Sequence, residues 1–484
     1  MFAPNEIDVS ARSLSRFRSL IGPQRYRELE VGAAGAKELL AGRTIWNVSS
    51  TAAGGGVAEM LQILVGYALG IGIDAKWIVI EGDPEFFSIT KRVHNRLHGF
   101  PGDDGELGDR ETRHYSDVSA KNAEGLVKDA KAGDIVLLHD PQTAGLGGRL
   151  EEHGAKVVWR CHVGSDHENR WTEEAWSFLR PHLDLCRGFV FSRRSFAPRW
   201  LPEDRTWVIP PSIDPFSPKN RNMTSADVVT TLFDMGIFDE RFTSAPSSSR
   251  RPRWTRIRSR ATVLCDAGPH DVRTPMVVQV SRWDRLKDMQ GVMEGFAGHV
   301  AGRSNVSLAL VGPEVDGVAD DPEGRAVLSE CVRAWDNLPT EIKRTILIIS
   351  LPMGDLSDNA VMVNALQRHA SVIVQKSLAE GFGLTVAEGM WKGRPVVASA
   401  VGGIPDQLTA DTGILVQDPY DLDEFGSALS SLLEQPGMIT SMGRRARRHV
   451  LERFVGDRHL LAYANLMREL VTGAPVSGTR YVEG

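Results

Sequence analysis

Two doubly wound α/β units facing each other across a cleft are predicted by three features of the chain. Short runs that are apolar on both faces alternate with helical spacing, once before residue 210 and again after residue 270. A proline-rich, non-periodic stretch separates the two series. Each series carries a glycine turn between a strand and a helix, where open α/β sheets bind ligands.

The first series opens with the strand TIWNVSS (44–50) and the helical GVAEMLQILVGYALGIG. The strand AKWIVIEG and the helix PEFFSITKRVHNRLHG follow, with Pro84 in the first turn. DIVLLHD, AKVVWRCHVG, GFVFSRRS and TWVIPPS complete a parallel, Rossmann-like sheet over 1–210. The pattern then breaks at IPPSIDPFSPKNRN, and 211–270 reads as a linker with an insert. That insert, 248–262, contains RRPRWTRIRSR, six arginines in eleven residues. It reads as a solvated surface segment, with a polyanion contact as the weaker alternative. A second Rossmann-like unit over 271–435 runs through PMVVQVSRWDRLKD, VSLALVGP, RTILIISLP, SVIVQKS, PVVASAVGG and TGILVQD. The tail, 436–484, has helical spacing and is expected to pack back across the first unit.

Composition bounds the function. At 484 residues the chain suits two domains, with 42% hydrophobic and 24% charged residues. A net charge of −6 supplies no basic field for nucleic acid. Four separated cysteines show no zinc or disulfide spacing, and no run is long enough to span a membrane. No secretion-signal pattern opens the chain, so a cytoplasmic location is expected. A homodimer is compatible with the sequence.

The loop SSTAAGGGVAEML lies between a strand and a helix, where backbone N–H groups suit an anion or a sugar hydroxyl. It lacks the Gly-Lys-Ser/Thr of a phosphate-binding loop. A dinucleotide fingerprint fits Gly54 and Gly56 but fails at Glu59, although Glu81 stands where a ribose-binding acid would. An NAD-dependent oxidoreductase, a sugar or diphosphate site, and a plain tight turn all stay open on this loop alone.

The segment QKSLAEGFGLTVAEGMWKG (375–393) is more specific. Glu380 precedes a glycine turn, Gly381 to Gly383, and Glu388 lies eight residues on, in a helix. Eight helical residues rise about 12 Å. The two acids therefore suit two ends of an extended ligand better than the single bond of a glycosidase pair. Arg282 and Lys287 follow a strand and suit phosphate oxygens. His162 ends a first-half strand, and Asp166 is a weaker companion whose plain reading is a turn or cap.

With EGFGLTVAE and the upstream Arg–Lys pair, the chain resembles the retaining GT-B glycosyltransferases of family 4. WNVSSTAAGGGVAEML, WIVIEGDPEFFSITKRVHNRLHG, VVWRCHVGSD, VIPPSIDPFSPKN and VQVSRWDRLKD resemble its trehalose synthase group, over most of 40–470. The insert departs from that group's compact pattern. The resemblance implies transfer of glucose from ADP-, UDP- or GDP-glucose to free glucose, reversibly giving α,α-trehalose. Trehalose phosphorylases of the same family are the alternative. Arg282 and Lys287 would meet the diphosphate, Glu380 the transferring glucose and Glu388 the nucleotide ribose. Gly381, Phe382, Gly383, Leu384 and Thr385 would line the donor site. Gly55, Gly56, His162 and Asp166 would meet the acceptor, with His162 among the catalytic groups. No cofactor is expected to be required, and Mg2+ would come with the nucleotide-sugar.

Overall fold

The computed structural model describes residues 5–52, 56–103, 105–238, 252–266, 268, 270–315 and 323–474. The chain divides into two compact units, Met1–Ser212 with Phe454–Gly484, and Ile213–Arg453.

Unit 1 is built on a seven-stranded sheet. Its strands are β1 (Asn5–Glu6), β2 (Thr44–Ser49), β3 (Asp74–Val79), β4 (Ile135–His139), β5 (Lys156–Cys161), β6 (Gly188–Phe191) and β7 (Thr206–Val208). Their spatial order is β1-β3-β2-β4-β5-β6-β7, parallel except for β1, which runs antiparallel beside β3. The order reverses between β2 and β4, creating a switch point at their C-terminal ends. All five residues of β4 are buried, because helices cover both faces. Trp159 and Phe191 pack on one face, while Trp77 and Leu137 pack on the other.

Unit 2 repeats the plan with β8 (Thr262–Leu264), β9 (Met276–Val280), β10 (Ser307–Pro313), β11 (Ile346–Leu351), β12 (Val372–Gln375), β13 (Val396–Ser399) and β14 (Gly413–Val416). The order is β14-β13-β12-β9-β10-β11-β8, with β8 alone antiparallel among the described strands. Here the switch point lies between β9 and β12.

One stretch differs from expectation, and a second is anchored while its described arginines, Arg253, Arg256, Arg258 and Arg260, stay exposed as a solvated segment does. The segment read as a linker contains an ordered helix, Ser225–Met235, capped reciprocally by Thr224 and Asp227. Its apolar residues, Val228, Leu232 and Met235, are buried, and it packs on the helix Leu356–His369. Flanking Pro and Ser residues obscure this short helical pattern in the sequence. The described part of the arginine-rich insert is also docked. Arg258 N donates to Asp358 Oδ2 at 2.6 Å, and Arg221 lies 4.9 Å from the Trp254 ring. Residues 248–251 lie outside the described range. The tail forms two helices, Pro436–Arg453 in unit 2 and Gly456–Thr472 in unit 1.

The last helix is fastened to the rest of unit 1 by polar and apolar contacts. It packs on the helix Pro23–Leu39, where a Cβ on Gly32 would collide with Leu461 Cδ2. Arg25 grips the buried Asp457 through bonds of 2.7 and 2.8 Å, and Trp207 Nε1 donates to Glu469 at 3.1 Å. No helix among the described residues is long and apolar enough to cross a membrane.

Arg25→Met would strand the Asp457 carboxylate, whose side chain is only 2% exposed. It is expected to destabilise unit 1 by about 3 kcal/mol, read as a lower urea midpoint. An unchanged midpoint would show that the pair does not fasten the helix.

Candidate active site

In unit 2 the functional side chains collect at the β9/β12 switch point. β9 leads into a loop in which Trp283, 1% exposed, anchors its Nε1 on Pro313 O at 2.8 Å. Asp284 caps the single turn Arg285–Lys287 by accepting from Leu286 N at 2.9 Å, and it pairs with Arg282 Nη2 at 3.1 Å. Asp288 then adopts the left-handed conformation, φ 46° and ψ 48°, and caps the helix Met289–His299 through Gly291 N. A non-glycine residue rarely holds that conformation without support. The support comes from the fully buried Lys376, whose Nζ bonds Asp288 Oδ2. Burial raises the Asp288 carboxyl above its ordinary range, against the pull of Lys376.

Gln279 joins the two strands that flank the switch point. Its Nε2 donates to Lys287 O at 2.7 Å, and its Oε1 accepts from Lys376 N at 3.0 Å. The loop after β9 is thereby tied to the end of β12. The result places Lys287 Nζ 2.7 Å from Glu380 Oε2. Ser377 Oγ donates to the same oxygen at 3.2 Å and Gln375 Nε2 at 3.4 Å, and Thr385 Oγ1 holds Gln375 Oε1 at 2.7 Å.

The glycine turn is held from the opposite side. Gly383, at φ 81°, precedes the helix Leu384–Trp391. Gly403 N donates to Gly381 O at 2.9 Å, and Gln407 Nε2 bonds Phe382 O. Gly402 must lack a side chain, because a Cβ there would run into Glu380 O. Phe382 is 5% exposed, so within the turn it is packing rather than an open contact.

Of the expected donor residues, the structure joins Lys287 to Glu380 and sets Gly381, Phe382, Gly383, Leu384 and Thr385 around them. Arg282 is held by Asp284 rather than by Glu380. Glu388 is 2% exposed, and its partner is Lys219 at 3.3 Å. Sequence reasoning missed Gln279, Asp288, Gln375, Lys376, Gly402 and Gln407. Gly402 stands in the GG pair of ASAVGGIP, which was legible as a turn. Nothing local marks the others.

In unit 1 the β2/β4 switch point gathers a different chemistry. His139 and Asp140 end β4, and His162 follows β5. The His139 and His162 rings stack at 5.5 Å, with Nδ1 of the first 3.1 Å from Nε2 of the second. The fully buried Arg160 places Nε 3.2 Å from His162 Nε2. Burial, seconded by Arg160, pushes His139 down to about 3 and His162 well below its ordinary value, so both rings are neutral. Asp140 adopts φ 64° and accepts from His162 N at 2.7 Å. Burial raises its carboxyl to about 7, against the His162 N–H bond and Arg160. Sequence reasoning passed over Asp140, because strain and burial appear only in the fold.

Asp166 stands apart from this group. It is exposed and clasps Arg193 Nη1 at 2.6 Å and Ser195 Oγ at 2.7 Å, which is a loop-fastening role. Gly56 is the exposed first residue of the helix Gly56–Gly70. Gly55 lies outside the described residues. Among the described residues, no group of three or more His, Cys, Asp or Glu side chains could hold a metal.

Comparison with known proteins shows what the chain is similar to. Residues 47–198 match the trehalose synthase N-terminal domain, and residues 354–449 match the glycosyl transferases group 1 domain. A trehalose synthase of Rubrobacter xylanophilus is 33% identical over 463 residues, 95% of this chain and 97% of that one. A trehalose phosphorylase of Pleurotus sajor-caju is 26% identical over 435 residues, 83% of this chain and 54% of that one. A solved trehalose-6-phosphate structure from E. coli, bound with UDP-2-fluoro glucose, superposes with a TM-score of 0.64 at 13% identity. It covers 90% of this chain and 100% of that one, a likeness of GT-B fold alone.

The raised Asp140 carboxyl carries a stability signature. Between its ordinary value of 3.8 and about 7, the unfolded chain releases this proton while the folded chain keeps it. Folding stability from this group is therefore full at low pH and is lost as pH rises to about 7. Asn tolerates the left-handed backbone and cannot ionise. Asp140→Asn is expected to raise the melting temperature relative to wild type at about pH 8 more than at about pH 4.5. A difference that does not widen with pH would overturn the assignment.

Proposed function

Because the chain belongs to the trehalose synthase family of glycosyltransferases, we propose that it joins glucose from a nucleoside-diphosphate glucose to free glucose. The product is α,α-trehalose, the anomeric configuration is retained, and the reaction is reversible. The observation that carries this reading is the Lys287–Glu380 pair, 2.7 Å apart at the β9/β12 switch point. Beside it the helix that begins at Leu384 aims its N-terminus, an electropositive end.

Donor chemistry follows from these groups. The solved E. coli structure of the same fold is bound with UDP-2-fluoro glucose, and the donor here is read as the same chemical class. Negative charge grows on the diphosphate as the glucosyl bond breaks. Lys287, Arg282 and the helix N-terminus oppose that charge without reorganising. Glu380 accepts hydroxyls of the transferring glucose. Its Oε2 is already held by three donors, which aims the carboxylate.

Acceptor chemistry is assigned to unit 1. Neutral His162 and His139 add no charge, and Asp140 accepts a glucose hydroxyl when ionised. The attacking hydroxyl approaches the anomeric carbon from the face the diphosphate leaves. Its proton passes to a departing phosphate oxygen, the new C–O bond forms and the old one breaks. Isolation of a covalent glucosyl-enzyme would overturn this front-face route.

The trehalose phosphorylase reading is not favoured, since that relative is the more distant in identity and the chain spans only 54% of it. Purified protein is expected to make trehalose from glucose and one of ADP-, UDP- or GDP-glucose. Glucose 1-phosphate made from trehalose and inorganic phosphate, with no nucleotide present, would instead establish the phosphorylase. Glu380→Gln and Lys287→Ala are each expected to lower kcat by at least about 100-fold. Folded variants with near wild-type rates would refute the site.

A further inference from the structure

A buried carboxylate needs its charge and its lone pairs answered. Glu388, on the second turn of the helix Leu384–Trp391, is answered only in part. Its side chain is 3% exposed, and its Oε1 faces Lys219 Nζ at 3.3 Å. Its Oε2 is buried and takes no hydrogen bond among the described residues. A purely structural ion pair would be expected to satisfy both oxygens. One oxygen neutralised by a cation and one left bare is instead the arrangement that receives a hydroxyl donor.

Lys219 is itself unusually well placed. It lies in Asp214–Arg221, which folds as successive turns where the chain enters unit 2. Asn364 Nδ2 donates to Pro218 O at 2.8 Å and to Arg221 O at 2.9 Å. Trp391 Nε1 donates to Asn220 O at 2.9 Å, and Lys392 Nζ to Asn220 Oδ1 at 2.6 Å. Both residues on either side of Lys219 are thus clamped, two of the clamps coming from the end of Glu388's own helix. The ammonium is carried to Glu388 by a rigid backbone, so little side-chain freedom remains to be lost.

We propose that Lys219 is a positioning residue for the ribose end of the donor site. It holds Glu388 by Oε1 and leaves Oε2 to meet a ribose hydroxyl. This rests on the reading of unit 2 as the nucleotide-sugar domain. Lys219 touches neither the transferring glucose nor the phosphates. Its loss should weaken recognition of ribose while leaving recognition of diphosphate in place.

The test compares binding of a nucleoside diphosphate with that of its 2′,3′-dideoxy analogue by calorimetry, using whichever of ADP, UDP and GDP the wild type binds most tightly. Wild type is expected to prefer the ribose form by roughly 10-fold, the scale of one hydrogen bond to a charged group. In Lys219→Met that ratio should fall to about 2-fold or less, and Lys219→Arg should recover most of it. Should Lys219→Met fail to fold by circular dichroism, Lys219→Gln takes its place, with the same loss of ratio expected. A folded, uncharged variant that keeps the wild-type ratio overturns the role of Lys219. A folded wild type that binds no nucleoside diphosphate, or binds both forms alike, overturns the donor reading itself.

Discussion

The contact between Lys376 and Asp288 holds the unit 2 switch point together. Asp288 must sit in a left-handed conformation for the loop after β9 to turn into its helix, and that conformation is costly for a residue with a side chain. A buried lysine with no exposed surface offsets the cost by neutralising the aspartate that makes the turn. Gln279 then ties Lys376 to Lys287, the residue before Asp288, through its two amide atoms. Lys287 and Glu380 can meet because these inner residues leave their backbones no other position. Charge alternates along the loop, as Arg282 with Asp284, Lys287 with Glu380 and Lys376 with Asp288. Arg285, in the same loop, is the exposed exception, paired with Glu330 at 2.7 Å, a surface contact that contributes little.

The two units differ in strand order, yet each has one switch point, and the two switch points carry opposite electrostatics. At the unit 2 switch point the charges are paired and partly buried. At the unit 1 switch point burial and the guanidinium of Arg160 strip charge from both histidines, while burial lifts an aspartate towards neutrality against the pull of Arg160. The first environment suits an anion whose charge grows during reaction. The second suits an uncharged polyol, which needs directional hydrogen bonds and would gain little from a net field.

Much of this was legible in the residues. The two strand–helix series, their separation and the glycine turns follow from periodicity, because a parallel sheet buries both faces of each strand. Lys287 and Glu380 were each legible as site candidates, Lys287 beside Arg282 and Glu380 with Glu388, but not as partners of one another. The two antiparallel edge strands, β1 and β8, were not. β1 has two residues and β8 three, too few to show a period. The helix Ser225–Met235 was hidden by its Pro- and Ser-rich flanks. The bonds of Asp166 to Arg193 and Ser195 were not legible either, because its spacing from His162 says nothing about which way a loop turns.

The amino-acid order by itself determined the alternation of elements, the family resemblance and the motif residues, since these depend on neighbours along the chain. Tertiary structure decided which distant groups bond to one another. Gln279 with Lys376, Asp140 with His162, and Lys219 with Glu388 are separated by 97, 22 and 169 residues. Their pairing depends on strand order and on burial, which local sequence does not encode. Burial also turned an ordinary aspartate after β4 into a group that titrates near neutrality.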